Sequence, residues 1–452
     1  MHPRGGARPM IAAPKDLLAD DGAIVITGVA LEAPGGATSL ATLWGTLSGH
    51  ADALGPLPRD RGWDVEGLLR LGDAPGWGRI PDSCGLIPGA TMWDPAAFGV
   101  SPREAALIDP HQRVAVRCAF RAFQAAGLRP GDHGLRDAGV AFAALHDDYG
   151  PRFGVPGEYH GDLLVGVSAS TISGRISNAL DIRGPSVTID AGCAGALTAI
   201  DHAAAMIRSG AAPAMIAGGV SVLCSPGMLV EFSRLGALAA NGRCRPFGKE
   251  DRGVVWSEGS AAFLLETAGS ARGGGRTPIA VVHASASTHG GGRSPMHVPD
   301  RDAHEEAIRR CLDISGLGYD DVDVVEAHGT GTRAGDPVEL AALGATYGAA
   351  AAADGRRIPI RSAKSHLGHA QAAASGLGLC ALMAGAREGS IPHHLLEGEP
   401  SDAIDWAGSG LALAGEEPWP ARGGWRTAGI SALGISGTVT HALVGFPEEG
   451  RS

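Results

Sequence analysis

Residues 186–207 read SVTIDAGCAGALTAIDHAAAMI: a β-branched run that breaks at Ala191-Gly192-Cys193 and passes directly into an alanine-rich helical pattern. A strand feeding a helix through a three-residue turn is the unit from which layered α/β folds are built. The turn also places Cys193 at the positive end of the helix dipole, among backbone N–H groups without intrahelical partners. A thiolate is favoured there and an attacked carbonyl oxygen can be held. On this segment alone the reading stays open, because a cysteine is equally at home as a small buried hydrophobe at a helix start.

The same alternation extends outward in both directions. AIVITGVA (23–30), GVAFAAL (139–145), AMIAGGV (214–220) and VVWSEGSAAFLLE (254–266) read as strands, and SPREAALIDPHQRVAVRCAFRAFQAAGL (101–128) reads as helix after a Ser-Pro start. The second half repeats the theme. PIAVVHASA precedes a helix at 304–312, DVDVVEAH precedes a helix from Pro337, IPIRSAK precedes a helix after His369, and ISALGISGTVTHALVGF closes the chain. Residues 38–79 are dense in proline and glycine and are expected to be irregular. With no low-complexity linker between them, the halves 21–270 and 271–447 are expected to share one packed body. Residues 1–20 read as a leader and 448–452 as a tail.

Two further segments carry imidazoles at the ends of predicted strands. His328 lies in DVDVVEAHGTGTRAGDPVEL, and His369 lies in IPIRSAKSHLGHAQAAASG with Lys364 five residues before it. The glycines after His328 do not have GxGxxG spacing, so no dinucleotide is read into them. Taken singly, either histidine reads more readily as structural than as functional. Taken together with Cys193, all three sit at the C-terminal ends of strands, where α/β folds place their active sites.

Bulk properties narrow the class. A net charge of −11 argues against nucleic acid or an anionic membrane as the main partner. The most apolar stretch, 212–230, is interrupted by Pro213, Gly218, Gly219, Ser225 and Pro226, so no membrane span is expected and it reads as a buried strand followed by a turn. The N-terminus lacks a signal-peptide core and the expected compartment is the cytosol. Seven scattered cysteines without a CxxC pair are expected to be reduced, and neither a metal nor a bound cofactor is expected on the chain itself.

The motifs IVITGVALEAPGGA, FGVSPREAALIDPHQR, GRISNALDIRGPSVTID, GRCRPFGKEDRGVVWSEGSAAFLLE, EAHGTGTRAGDPVE, KSHLGHAQAAASG and GISALGISGTVTHALV occur in this order between about 21 and 447. Through them the chain resembles the ketosynthase domain of modular polyketide synthases. The resemblance implies a thiolase fold, a duplicated five-layer α-β-α-β-α architecture. It implies that Cys193 accepts an acyl group and that His328 and His369 support decarboxylative carbon–carbon bond formation, with Lys364 orienting them. Cys193 and Ile435 would form the oxyanion hole and gate. Gly434, Ser436, Thr330 and Thr332 would meet the substrate, the threonines on the phosphopantetheine arm of an acyl carrier protein. A homodimer pairing near SVTID is implied as well.

Because the chain stops soon after HALVGF, it is expected to act in trans. Departures from the family pattern at Ala191-Gly192, Ala194-Gly195-Ala196, His366, Ser375 and Val439 are read as changes to the rim of the site. The competing reading within the fold is a non-elongating enzyme that cyclises or transfers an acyl group. A catalytically silent chain-length partner is disfavoured by the retained Cys193. An unrelated cysteine protease or thioesterase is disfavoured by the absence of a GxSxG elbow.

Overall fold

The computed structural model describes residues 18–448 apart from 50, 146–147, 151–161, 251 and 293–294. The expected leader and tail therefore lie outside the described residues, save 18–20 and Glu448. The strands are β1 (Ile24–Glu32), β2 (Gly139–Ala143), β3 (Ser186–Ile189), β4 (Ala214–Ser221), β5 (Gly259–Thr267), β6 (Ala280–His289), β7 (Val324–Glu326), β8 (Ile358–Arg361), β9 (Ser390–Ile391), β10 (Leu411–Leu413), β11 (Glu417–Pro418), β12 (Trp425–Leu433) and β13 (Thr438–Pro447).

All but β9 and β11 join one sheet in the order β10-β8-β7-β12-β13-β6-β1-β5-β4-β2-β3. Setting aside β10, an extra edge strand that runs parallel to β8 in the second half, the halves numbered from their own first strands have the same order, 3-2-4-5-1, and the same directions: strand 2 runs parallel to strands 3 and 4, and the remaining pairs are antiparallel. The duplication read from the alternation is therefore literal. The two repeats meet where β1 pairs with β6, through Ile24–Ile26 against Ala280–Val282.

The helices complete the five layers. Pro110–Ala125 and Ser170–Leu180 cover the outer face of the first repeat, and Arg301–Ser315 covers the outer face of the second. Between the repeats lie Gly195–Arg208 and Ala374–Glu388, and the latter is buried along its length as far as Ala386. Both are rich in Ala and Gly, which lets backbones approach. A Cβ on Gly376 would come within 3.2 Å of Ala196 Cβ, and one on Gly28 of β1 would strike the Ala122 carbonyl of the outer helix at 2.2 Å.

Three expectations need correction. Residues 38–79 hold two eight-residue helices, Leu40–Leu47 and Val65–Gly72, each with a side-chain cap: Ser39 accepts from the Thr42 N–H and Asp64 from the Gly67 N–H. The strand expected over 254–266 begins only at Gly259. Its first five residues are pulled out of the ladder because Glu258 is buried in an ion pair with Arg61 and 254–257 pair elsewhere. A further helix, Gly227–Arg234, follows β4 where only a turn was expected.

Burial of histidines sets the acid response of the fold. His283 and His304 are lowered to about 4, His394 to about 3 and His366 to about 2, with burial the leading cause in each; His328, His369 and His441 also lie well below 6.5. Below about pH 6.5 the unfolded chain takes up protons that these rings refuse. Stability then falls by about 1.4 kcal/mol per pH unit for each such ring. Buried Asp336 and Glu339, raised to about 6 and about 7 by burial, act in the opposite sense, because the folded state holds their protons longer. Glu326, raised by burial, and His111, held well above its usual value by Asp109 against burial, act with those carboxylates, yet seven rings outweigh these four groups, so the melting temperature is expected to drop between pH 7 and pH 5. A flat or rising melting temperature over that interval, by scanning calorimetry, would refute this balance.

Candidate active site

Cys193 follows β3 through a turn that needs its glycine, since Gly192 has φ +57°. The turn is pressed from the other repeat by the β12–β13 hairpin. A Cβ on Gly434 would lie 2.4 Å from the Ala191 carbonyl, and one on Gly192 would lie 3.3 Å from the Ile435 nitrogen. The hairpin is closed by hydrogen bonds from the Gly434 N–H to Thr438 (2.7 Å) and from the Gly437 N–H to Gly434 (3.0 Å). Ile435 therefore stands at the mouth with 48% of its surface exposed.

Behind the turn is a cavity of about 300 Å³. Its walls include Cys193, Phe232, Trp256, His328, His369, Thr330, Thr332, Gly434 and Ile435. The structure thus brings together the cysteine, both histidines, both threonines and the gate. Lys364 sits behind the wall, its ammonium donating to the His328 carbonyl. Ser436 is a correction: it is absent from the cavity lining, its side chain is exposed, and its carbonyl accepts from His289 Nε2 at 2.8 Å.

The histidines are held by different means. His328 is gripped through its main chain: Glu339 accepts the N–H groups of His328 (2.6 Å) and Gly329 (2.7 Å), and Lys364 donates to the carbonyl. Asp336, one turn earlier on the helix Gly335–Leu343, accepts from the Gly331 (3.0 Å) and Phe247 (2.7 Å) N–H groups and shapes the same turn. His369 is gripped through main chain and ring. Its N–H donates to Val255 (2.8 Å), its carbonyl accepts from Ser257 (3.0 Å), and its ring packs on Trp256 with centroids 5.0 Å apart. The Gln371 N–H donates to His369 Nδ1 at 3.1 Å, which leaves Nε2 as the protonated nitrogen. Gln371 reaches this position with φ +47°, a conformation that costs a non-glycine residue about 1–3 kcal/mol. The two rings meet edge to face with centroids 5.6 Å apart.

Electrostatically the site rests uncharged at its surface and charged beneath. Burial pushes the Cys193 thiol up to about 11, with the Lys364 cation opposing and Asp190 adding to the rise. Burial and the Lys364 cation keep both imidazoles neutral. Burial lowers Lys364 too, against the support of Glu326 and Glu339. Burial thus opposes the standing thiolate that a helix start alone suggests.

Apart from Ala191-Gly192 in the cysteine turn, the departures lie behind the rim. Ala194, Ala196, His366, Ser375 and Val439 are all buried and none lines the cavity. Val439 packs with Ala303, Ala307 and Leu433 beneath the hairpin, and the His366 ring meets His393 at 4.8 Å. Away from the cavity, Asp109, His111 and Cys224 bring ligand-type atoms within 4.8 Å of one another. Both ring nitrogens of His111 are already engaged, Nδ1 with Asp109 (2.8 Å) and Nε2 with the Val222 N–H (3.1 Å). Among the described residues no helix is long and apolar enough to cross a membrane.

Comparison with known proteins agrees with this geometry. The family model "Beta-ketoacyl synthase, N-terminal domain" matches residues 21–271, and "Beta-ketoacyl synthase, C-terminal domain" matches 279–396. The chain is 39% identical over 442 residues to the spectinabilin polyketide synthase system protein NorA' of Streptomyces orinoci, covering 97% of this chain and 12% of that protein. To erythronolide synthase EryA3 of Saccharopolyspora erythraea it is 40% identical over 442 residues, covering 96% and 14%. It therefore spans about one-eighth of the length of these relatives. Among solved structures, the oxazolomycin ketosynthase domain OzmH KS7 of Streptomyces albus JA3453 superimposes with a TM-score of 0.86 at 32% identity, over 94% of this chain and 74% of that one. The module 6 ketosynthase of the bacillaene synthase from Bacillus subtilis 168 gives 0.85 at 25% identity, over 95% and 73%.

Proposed function

The chain belongs to the β-ketoacyl synthase family, and from that premise we propose that it takes an acyl group from the phosphopantetheine of an acyl carrier protein onto Cys193. A decarboxylative Claisen condensation in polyketide-type biosynthesis then follows. The observation that carries this reading is the meeting of Cys193 with two neutral imidazoles in one cavity.

In the loading step the Cys193 sulfur attacks the carrier thioester. The carbonyl oxygen is received by the N–H groups of Cys193 and Ile435, and the thiol proton leaves with the departing pantetheine sulfur. A malonyl-type thioester then loses CO2, and its carbonyl oxygen becomes an enolate stabilised by the N–H groups of His328 and His369. The enolate carbon attacks the acyl-Cys193 carbonyl, the carbon–sulfur bond breaks, and the departing Cys193 thiolate takes a proton from solvent to return to the thiol. Neutral donors suit this task because they polarise the oxygen without presenting a full cation to the incoming carboxylate. Thr330 and Thr332, with hydroxyls 3.1 Å apart at the cavity wall, would hold the arm.

Incubation with acyl- and malonyl-loaded carrier, followed by intact-mass measurement, tests the assignment. Acyl-enzyme together with released CO2 and a β-ketoacyl carrier supports it. Acyl-enzyme that only returns its group to another carrier, or closes a ring, supports the non-elongating alternative.

A homodimer is part of the proposal. β3 is the edge strand of the sheet, bonded only to β2, and its Val187, Thr188 and Ile189 are half-exposed, so a second copy could extend the ladder. Light scattering is expected to give twice the chain mass at micromolar concentration. A monomer would overturn this.

A further inference from the structure

The helix that follows Cys193 begins without a cap of its own. Ala194 occupies the cap position with no side-chain hydrogen bond, and the N–H groups of Ala194 and Gly195 turn back on the carbonyls of Ala191 (3.2 Å) and Gly192 (3.0 Å). Ala194-Gly195-Ala196 offers no hydroxyl or carboxamide that could satisfy a donor two residues further on, the Leu197 N–H, at a residue with no solvent exposure. An unpaired buried N–H is costly, and helix starts ordinarily meet the need with a local Ser, Thr, Asp or Asn.

The acceptor comes from the other repeat. Ser375 Oγ lies 3.0 Å from the Leu197 nitrogen, 178 residues away in sequence, and is itself 5% exposed. Ser375 stands in the first turn of the helix Ala374–Glu388, and the short helical turn Gln371–Ala373 connects that helix to His369. Only small residues separate the two helix starts: a Cβ on Gly195 would lie 3.2 Å from Ala372 Cβ, and one on Gly376 would lie 3.2 Å from Ala196 Cβ.

We infer that Ser375 is a positioning residue that caps the Cys193 helix from the opposite repeat, tying the cysteine turn to the His369 turn and tuning the field at the sulfur. The inference rests on Cys193 being the nucleophile. A hydroxyl oxygen on a first-turn N–H takes up part of the positive field that the helix start would otherwise offer an anion. Removing the hydroxyl leaves that N–H free to favour the Cys193 thiolate, whereas threonine keeps the acceptor.

The experiment is alkylation of the full chain by iodoacetamide between pH 7 and pH 10, read at each cysteine by peptide mass spectrometry. Ser375→Ala is expected to raise alkylation of Cys193 at pH 8 by at least about threefold, the thiolate gain for half a pKa unit, and Ser375→Thr to return it to the wild-type rate. Buried Cys244 and Cys311 should be unchanged in both. A wild-type profile in Ser375→Ala overturns the inference, and so does a general rise at all cysteines, which would mark simple loosening. Amide exchange at Leu197 in the unmodified protein needs no variant. Protection matching the helix interior is expected, and free exchange overturns the cap even if Ser375→Ala fails to fold. Wild-type alkylation falling on a cysteine other than Cys193 would instead refute the nucleophile assignment, leaving the Leu197 result to judge the cap.

Discussion

Cys193→Ala is expected to lower acyl loading by at least about a thousandfold, the scale of losing a nucleophile outright. No other thiol can replace it. Cys84, Cys118, Cys244, Cys311 and Cys380 are buried, and burial pushes Cys84, Cys118 and Cys244 up to about 12, Cys311 higher still, and Cys380 well above the usual thiol range. Cys224 is half-buried but does not line the cavity; its sulfur packs 3.8 Å from His111 Nδ1, and burial raises it as well. The substitution removes one sulfur from a partly accessible position, so folding should survive. Intact-mass measurement after incubation with an acylated carrier reads the result. A hydroxylamine-sensitive adduct on the variant would mean that the nucleophile lies elsewhere.

The second large effect separates the histidines. His328→Ala is expected to leave Cys193 acylation measurable while reducing condensation by at least about a hundredfold, since loading needs no enolate and condensation does. The structure makes this variant clean. Glu339 and Lys364 hold residue 328 by its N–H and carbonyl, so deleting the ring leaves the turn anchored. His369→Ala is less selective: it empties the space against Trp256 and strips the Gln371 N–H of its acceptor, so loading should suffer too. Single-turnover mass spectrometry of acyl-enzyme and product distinguishes these outcomes. Near-normal product from His328→Ala would sink the condensing mechanism and favour acyl transfer.

What the sequence revealed, and what it hid, follows from the range of the interactions involved. The alternation of β-branched runs with alanine-rich helices, read locally, found the strand and helix that flank Cys193 and the repeat of that pattern around His369. Two short helices escaped because eight residues carry little periodicity amid glycine and proline, although Ser39 and Asp64 were visible cap signals. The supporting carboxylates Asp336 and Glu339 were legible in principle, since three-residue spacing on a helix places both on one face. Their role as acceptors for the 328–331 turn depends on how that turn folds back, which spacing does not encode. Trp256 was hidden inside an apparently regular strand. The departures at Ala194–Ala196 and Ser375 seemed separate changes to a rim, whereas Ser375 supplies, across the repeats, the acceptor for the Leu197 N–H that 194–196 lack.

That bond also constrains the order in which the protein can be completed. The ribosome delivers Gly195–Arg208 with all of the first repeat's strands by Thr267, but the helix that covers its inner face and supplies its missing acceptor ends at Glu388. At usual elongation rates the interval is on the order of ten seconds. Throughout it, the nascent chain presents an uncapped helix and an apolar face without a partner. A half-made chain therefore holds the cysteine but not its pocket, and maturation of the reactive centre coincides with closure of the second repeat.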